Sequence, residues 1–207
     1  MLKQMIYYLI GLSIACLGVS LIIHSGVGAG PWDIVNIGLT EKVGLTLGTW
    51  MALFQAFFLF VNAALLKKRP EFAAFITLVI WGLFIDFWME IIFKDVDLSA
   101  AAPLEKWGVF IGGVVLIGMG VGVYLTSNLP KMPYDGTMVA LSKKFNISFT
   151  ISRTFLEGTA VLLSFVVGGS VGVGVGTIII FLIIGQLIQF FHKLSMSVFH
   201  GKINFIV

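Results

Sequence analysis

The sequence predicts an all-α polytopic membrane protein with six transmembrane helices, arranged as two inverted three-helix repeats. Three observations predict this fold: the composition, a match of the chain to itself, and a proline-broken short helix after the first span of each repeat. Of the 207 residues, 58% are hydrophobic and only 11% are charged, and the mean hydropathy is +1.05. A soluble domain needs more polar surface, so the lipid bilayer is the expected environment.

The chain matches itself when it is shifted by 102 residues. Pro31-Trp32-Asp33 then aligns with Pro133-Tyr134-Asp135. Other matched pairs are Gly11 with Gly113, Gly18 with Gly120, Ser25 with Ser127 and, after a slip of one residue, Phe87 with Phe190. The match predicts a first membrane repeat at residues 1–93, an extracytoplasmic linker at 94–106 and a second membrane repeat at 107–207.

Six apolar stretches are long enough for about 20 helical residues to cross about 30 Å of hydrocarbon. They are Met5–His24, Leu47–Leu66, Phe72–Phe93, Trp107–Thr126, Phe149–Val167 and Val171–Phe191. Each half therefore consists of one span, a break followed by a short helix, and two further spans. Because three spans are an odd number, the second half is expected to enter the membrane upside down relative to the first.

Basic residues between the spans predict the orientation. With a cytoplasmic N-terminus, the inner side collects Lys3, Lys67, Lys68, Arg69, Lys131, Lys143, Lys144, Lys193 and Lys202, whereas the outer side has Lys42, Lys94 and Lys106. The positive-inside rule then places both termini in the cytoplasm. The net charge of +3 does not call for a nucleic-acid partner, because these residues are spread over loops.

The first break is the glycine cluster Gly26–Gly30, which cannot easily continue a helix, and Pro31 follows at a position suited to opening a new one. The second break is built with prolines instead. Irregular backbone at membrane depth needs protein or a watery cavity to satisfy its polar groups, so the breaks should face inward or lie at the interface. Asp33 and Asp135 are expected in the first turn of the short helices, where a carboxylate can simply cap free amides.

A functional hypothesis for the same residues is that the breaks present backbone donors, a carboxylate and an aromatic ring to a solute. Trp and Tyr also favour membrane interfaces, so this alternative stays open. Ionisable groups within spans are functional candidates because intramembrane charge is costly. By the repeat, Glu157 aligns with Gln55 and Asp86 with Gln189. The candidate solute-binding residues are Trp32, Asp33, Gln55, Tyr134, Asp135 and Glu157, and the candidates for ion or proton coupling are Asp86, Glu157 and Gln189.

No catalytic, cofactor or metal site is expected. Gly168-Gly169-Ser170-Val171-Gly172 fits a nucleophile pattern, but it is predicted to lie at a turn between two spans without the strand-to-helix context. His24, His192 and His200 lack metal-ligand spacing. The pairs Gly108 with Gly112 and Gly118 with Gly122 predict close helix packing. The sequence therefore favours a protein that is not an enzyme.

The string Gly26-Val27-Gly28-Ala29-Gly30-Pro31-Trp32-Asp33, after an apolar span that contains Gly18, resembles the YczE/YyaS/YitT family of bacterial integral membrane proteins. Together with the six-span plan, it is most similar to the YczE branch. The resemblance implies a bacterial inner-membrane protein. It implies no agreed substrate, activity or catalytic residue.

Two functions remain open from the sequence. The first is a secondary transporter or solute-binding membrane subunit for a small cation or zwitterion, which carboxylates and aromatic rings would suit. The second is a non-transporting membrane partner or scaffold that stabilises or regulates another protein. The expected partners are the lipid bilayer and a small-molecule solute, with a membrane protein or a second copy of the chain as the further candidates.

Overall fold

The structure, a computed structural model, describes residues 2–167 and 173–200, apart from the side chains of residues 149, 150, 199 and 200. Within these ranges the chain forms helices and no strand. The helices are α1 Leu2–Ser25, α2 Pro31–Val43, α3 Leu47–Leu66, α4 Ala74–Asp86, a π-helical turn Phe87–Ile92, α5 Pro103–Leu125, α6 Pro133–Phe145, α7 Phe149–Val167 and α8 Val175–His200. The prediction of an all-helical chain is confirmed for these residues.

Five helical segments of the described chain are long and apolar enough to cross a membrane: α1, α3, α4 with the π-helical turn, α5 and α8. Helix α7 has the bounds of the fifth expected span, Phe149–Val167, and its crossing stays a prediction. The π-helical turn was not predicted, because hydropathy does not distinguish an α-helix from a π-helix. Helix α1 also extends to Ser25 and α5 begins at Pro103, inside the expected linker, since helices continue past the apolar window.

The two breaks share one local geometry despite their different sequences. The Ser25 hydroxyl donates to the Ile22 carbonyl at 2.6 Å, and its oxygen accepts from the Val27 amide at 3.3 Å. Ser127, its partner in the repeat, donates to the Tyr124 carbonyl at 2.6 Å and accepts from the Leu129 amide at 3.2 Å. The serines thus satisfy backbone groups that the end of each helix leaves free.

A left-handed residue turns the chain after each serine. Gly26 has φ +65° in the first break, and Asn128, at the equivalent position, has φ +56°. Glycine adopts this conformation freely, and asparagine tolerates it better than most residues. Both breaks therefore have a left-handed residue at this position. The first break also depends on Gly28, because its φ is +146° and a Cβ there would lie 2.8 Å from the Thr177 amide nitrogen.

One carbonyl in each break accepts a hydrogen bond from another helix. The Val27 carbonyl in the first break accepts from the Gly176 amide at 3.3 Å, at the start of α8. The Pro130 carbonyl in the second break accepts from the Thr77 hydroxyl on α4 at 2.9 Å. Buried backbone groups need such partners at membrane depth.

The described chain divides into two compact units, each of which draws helices from both halves of the sequence. The first unit contains α1, the π-helical turn, α5 and α8. Its helices α1 and α5 meet at glycines. A Cβ on Gly11 would lie 2.8 Å from the Gly120 carbonyl oxygen, and one on Gly18 would lie 2.6 Å from that of Gly113. The later residue of α1, Gly18, contacts the earlier residue of α5, Gly113, so the two helices are antiparallel.

The predicted glycine pairs of α5 behave differently. Gly118 and Gly122 pack against α8, at Leu187 and Phe191. This part of the prediction is confirmed. Gly108 and Gly112 pack against no helix of the described chain, because a Cβ on either would meet no described atom within 4 Å, and close packing at this pair stays a prediction. The spacing of small residues shows that they share a helix face, and it does not show which helix covers that face.

The second compact unit contains α2, α3, α4, α6 and α7. Helix α2 packs against α7, and α6 packs against α3, so each short helix contacts a long helix from the other half of the sequence. Phe58 of α3, Met138 of α6 and Leu156 of α7 form the buried core of this unit. Trp32 and Tyr134, from the two repeated motifs, pack against this core.

Candidate functional site

The aromatic residues of the two Pro-aromatic-Asp motifs contact each other within the second compact unit. Pro31 and Pro133 open α2 and α6, which places Trp32 and Tyr134 in the first turns of those helices. Their ring centroids are 6.1 Å apart. Phe58 of α3 completes a cluster of mainly edge-to-face rings, 5.1 Å from Trp32 and 5.3 Å from Tyr134.

Tyr134 also links polar residues of α3 and α7. Its backbone amide, free at the start of α6, donates to Gln55 Oε1 at 3.0 Å. Its hydroxyl donates to Glu157 Oε1 at 2.9 Å. Gln55 and Glu157 occupy equivalent positions in the predicted repeats, so one residue of the second break holds both members of the pair. Tyr134 therefore contacts three other predicted solute-binding residues, so that four of the six lie together: Trp32, Gln55, Tyr134 and Glu157.

The remaining two predicted binding residues lie beside their motif aromatics. Asp33 is half-buried in the first turn of α2, and Asp135 is exposed in the first turn of α6. Asp135 and Glu157 repel each other electrostatically, and Arg153 attracts both. Lys131 provides a second positive charge near Asp135. The site therefore contains charges of both signs.

Unpaired polar atoms are concentrated in the same unit. Among the described residues, four buried side-chain atoms have no hydrogen-bond partner, and all four belong to the second compact unit. They are Trp32 Nε1, Asn36 Oδ1, Asn62 Oδ1 and Arg153 Nε. The indole N–H of Trp32 lies near the Tyr134 hydroxyl but outside hydrogen-bonding geometry. Since most buried polar groups in folded proteins are paired, this unit has unused capacity to bind water or a solute.

Sequence reasoning missed Asn36 and Asn62. Asn36 lies four residues after Trp32 and so shares its helix face, and only 3% of it is exposed. Asn62 lies seven residues after Gln55 on α3, and its Nδ2 donates to the Pro133 carbonyl at 2.8 Å. Helical spacing from the predicted residues would have identified both. A single polar residue within an apolar stretch is the signal in each case.

Asp86 lies elsewhere in the same unit and serves as a helix cap. Its carboxylate accepts from the Thr46 hydroxyl at 2.6 Å and from the Gly48 amide at 2.8 Å, at the start of α3. Gly48 permits this approach, because a Cβ there would lie 2.6 Å from Asp86 Oδ1 and would collide with the Gly82 carbonyl. A carboxylate at a helix N-terminus is stabilising by itself, and a coupling role for Asp86 stays a prediction.

Gln189, the third predicted coupling residue, belongs to the first compact unit, where it is exposed on α8. In the part of the chain that the structure describes, no group of three or more His, Cys, Asp and Glu side chains is placed to hold a metal. His24 Nδ1 donates to the Ser20 carbonyl at 2.9 Å. The glycine-rich stretch at residues 168–172 lies outside the described residues.

Comparison with known proteins gives the family. Residues 2–193 match the family described as "Family of unknown function (DUF6198)". The chain belongs to this family. It is 33% identical to "Uncharacterized protein YyaS" of Bacillus subtilis, over 95% of this chain and 96% of that protein. It is 31% identical to "Uncharacterized membrane protein YczE" of the same organism, over 89% of this chain and 83% of that protein.

An uncharacterized protein of Haemophilus influenzae is 30% identical over 91% of this chain and 83% of its own length. No solved structure matches the chain. The predicted resemblance to the YczE/YyaS group is confirmed. The chain has five apolar helical segments long enough to cross a membrane, and its YczE relative is named a membrane protein. This DUF6198 protein is therefore a membrane protein.

Proposed function

We propose that this protein is a secondary transporter or solute-binding subunit of the bacterial inner membrane, for a small cationic or zwitterionic solute. The observation that carries the proposal is the position of Tyr134. It stands at the opening of a broken helix, contacts Trp32 of the other break, and bonds Gln55 and Glu157 at 3.0 and 2.9 Å. Broken helices whose first turns meet polar side chains of other helices are a common transporter site.

Inverted repeats are part of the proposal, and the glycine contacts support them. Gly11 and Gly18 align with Gly113 and Gly120 in the sequence, yet in space Gly11 meets Gly120 and Gly18 meets Gly113. This crossed pairing is the contact pattern that a two-fold axis between two equivalent helices produces. The antiparallel course of α1 and α5 agrees with an inverted second half.

The short helices support the same arrangement. Helix α2 of the first half packs on α7 of the second, and α6 of the second packs on α3 of the first. The exchange is reciprocal, as two-fold symmetry requires. With the positive-inside distribution of Lys and Arg, it supports six spans, cytoplasmic termini and an outer linker at residues 94–106.

The test combines ligand screening and transport. The purified full-length protein is screened by thermal shift against small amines, amino acids and quaternary ammonium compounds, since a ligand at one hundred times its Kd stabilises by about 2.7 kcal/mol. Hits are then tested for uptake into proteoliposomes. Tyr134→Phe, which removes the hydroxyl bonded to Glu157 but keeps the ring, is expected to weaken binding. Tyr7→Phe on α1 is the matched control, and an absence of any stabilising solute would contradict the proposal.

A second candidate function is a non-transporting membrane partner or scaffold. The observation that favours it is the face of α5 at Gly108 and Gly112, which no described residue covers. Small residues spaced by four allow a helix of another protein or of a second copy to approach closely. Gly108→Leu would then abolish association measured by cross-linking in membranes. If it instead leaves association unchanged and the solute screen succeeds, the first function stands alone.

A further inference from the structure

We propose that the second compact unit binds a zwitterion of the amino-acid type, with Trp32 and Arg153 receiving its carboxylate and Glu157 and Asp135 receiving its ammonium group. This inference rests on the proposed function and narrows its solute class. The observations that support it are the unpaired donors and acceptors in the unit, together with the opposite charges around Asp135 and Glu157.

The unpaired donors argue against a simple cation. Arg153 Nε and Trp32 Nε1 are buried and donate to no acceptor among the described residues. Both atoms can only donate, and a quaternary or primary ammonium ion has no lone pair to offer them. A carboxylate accepts from both and pairs with the guanidinium through charge-assisted hydrogen bonds. Binding of a carboxylate would thus remove two buried, unsatisfied donors.

The acceptors in the same unit suit an ammonium group. Glu157 and Asp135 repel each other, and a positive ligand group near them relieves that repulsion. The Oδ1 atoms of Asn36 and Asn62 are buried and accept from no donor in the described part of the chain. An ammonium group carries three N–H donors, so it can donate hydrogen bonds to carboxylates and amide oxygens at the same time. The carboxylates of Asp135 and Glu157 and these two amide oxygens thus give the ammonium group acceptors within the unit.

The local charge balance favours a ligand with no net charge. Arg153 and Lys131 offset Asp135 and Glu157. A lone anion or cation would add one uncompensated charge beside the half-buried Arg153 and Glu157, which is costly. A zwitterion contributes one charge of each sign and preserves the balance. The half-buried rings of Trp32 and Tyr134 provide an apolar surface for the ligand's carbon atoms.

The first experiment compares ligands that share a carbon skeleton. The full-length protein in detergent is titrated with the twenty standard amino acids by thermal shift. Each amino acid that raises the Tm is compared with its amide, which keeps only the positive charge, and its N-acetyl derivative, which keeps only the negative one. The amino acid is expected to bind at least about tenfold more tightly than either derivative, as expected for loss of a charged hydrogen-bonding group.

The second experiment tests the donor side. Trp32→Phe keeps an aromatic ring and removes Nε1, so it should lower amino-acid affinity about tenfold while leaving the amide's weaker affinity unchanged. Trp50→Phe is the matched control, because Trp50 Nε1 donates to the Gly44 carbonyl at 2.8 Å in an exposed position. Arg153→Gln should act in the same direction, and Trp32→Phe decides the question if Arg153→Gln does not fold.

The outcomes separate the two proposals. Equal binding of the amino acid and its amide, or an unchanged affinity in Trp32→Phe, overturns the zwitterion inference. A stabilising cation without any stabilising amino acid also overturns it, and leaves the transporter proposal intact. If no small molecule of any class binds or enters proteoliposomes, both proposals fail.

Discussion

The Tyr134 hydroxyl donates a 2.9 Å hydrogen bond to Glu157, and the Tyr134 amide donates to Gln55. A glutamine at position 157 could still accept the hydrogen bond from the Tyr134 hydroxyl, but its side chain could not gain or lose a proton. If solute movement is coupled to protons through this residue, Glu157→Gln should abolish the pH dependence of uptake while retaining solute binding. The groups that act on Glu157 are Tyr134, Arg153 and Asp135, and all remain in the variant.

The measurement is uptake into proteoliposomes across a range of pH values. Glu90→Gln, at an exposed position of the π-helical turn, is the control and should keep the pH response of the wild type. Wild-type pH profiles in both Glu157→Gln and Asp86→Asn would mean that these carboxylates are packing or network elements. Proton coupling through them would then have to be abandoned.

The two motif aspartates should contribute unequally. Asp33 is half-buried and Asp135 is exposed near Arg153 and Lys131. Asp33→Asn and Asp135→Asn preserve the shape of the side chain and its capacity to cap a helix, so both variants are expected to fold. Each should weaken solute binding, measured by calorimetry. Loss of folding in both without a separate binding defect would instead assign the aspartates to helix capping.

Asp86 is expected to contribute mainly to stability. Asp86→Ala removes the acceptor for the Thr46 hydroxyl and the Gly48 amide, bonded at 2.6 and 2.8 Å. Loss of such a cap costs about 1–2 kcal/mol. The free energy of unfolding, measured by denaturant titration in detergent, should fall by that amount. An Asp86→Ala protein as stable as the wild type would show that this capping contact contributes little.

Two adjacent glycines of α5 give a matched test of the α1–α5 contact. A Cβ on Gly113 would lie 2.8 Å from the Gly18 carbonyl oxygen, whereas one on Gly112 would meet no described atom within 4 Å. Gly113→Ala is therefore expected to destabilise the protein by about 1–3 kcal/mol. Gly112→Ala should be neutral or slightly stabilising, because alanine favours the helix. Equal thermal stability of the two variants would contradict the observed packing.

The predicted topology can be tested by cysteine labelling. The native Cys16 is fully buried and is replaced by serine. Single cysteines at Lys68 and Lys143, both exposed, should react only with a reagent supplied to the cytoplasmic side, and one at Asp97 only with a reagent outside. Labelling of positions 68 and 143 from opposite sides would exclude the inverted-repeat topology.

The local features of the fold could be read from the sequence. Pro31 and Pro133 open α2 and α6 where predicted, and α3 and α7 have the predicted bounds. These features depend on residues close together in the chain: proline lacks an amide proton and sets φ, and hydropathy sums over contiguous residues. The π-helical turn escaped prediction because it has the same hydropathy as an α-helix.

The composition of the site depended on tertiary structure. The repeat paired Gln55 with Glu157 in the alignment, but only the fold brings both to Tyr134, across 79 residues in one case and 23 in the other. The same holds for Asp86, whose partners at the start of α3 lie about 40 residues away. Sequence determined the breaks and the apolar helices, since nearby residues decide them. Which polar side chains meet was decided by helix packing, because those contacts join residues that are distant in the chain and have no local signature.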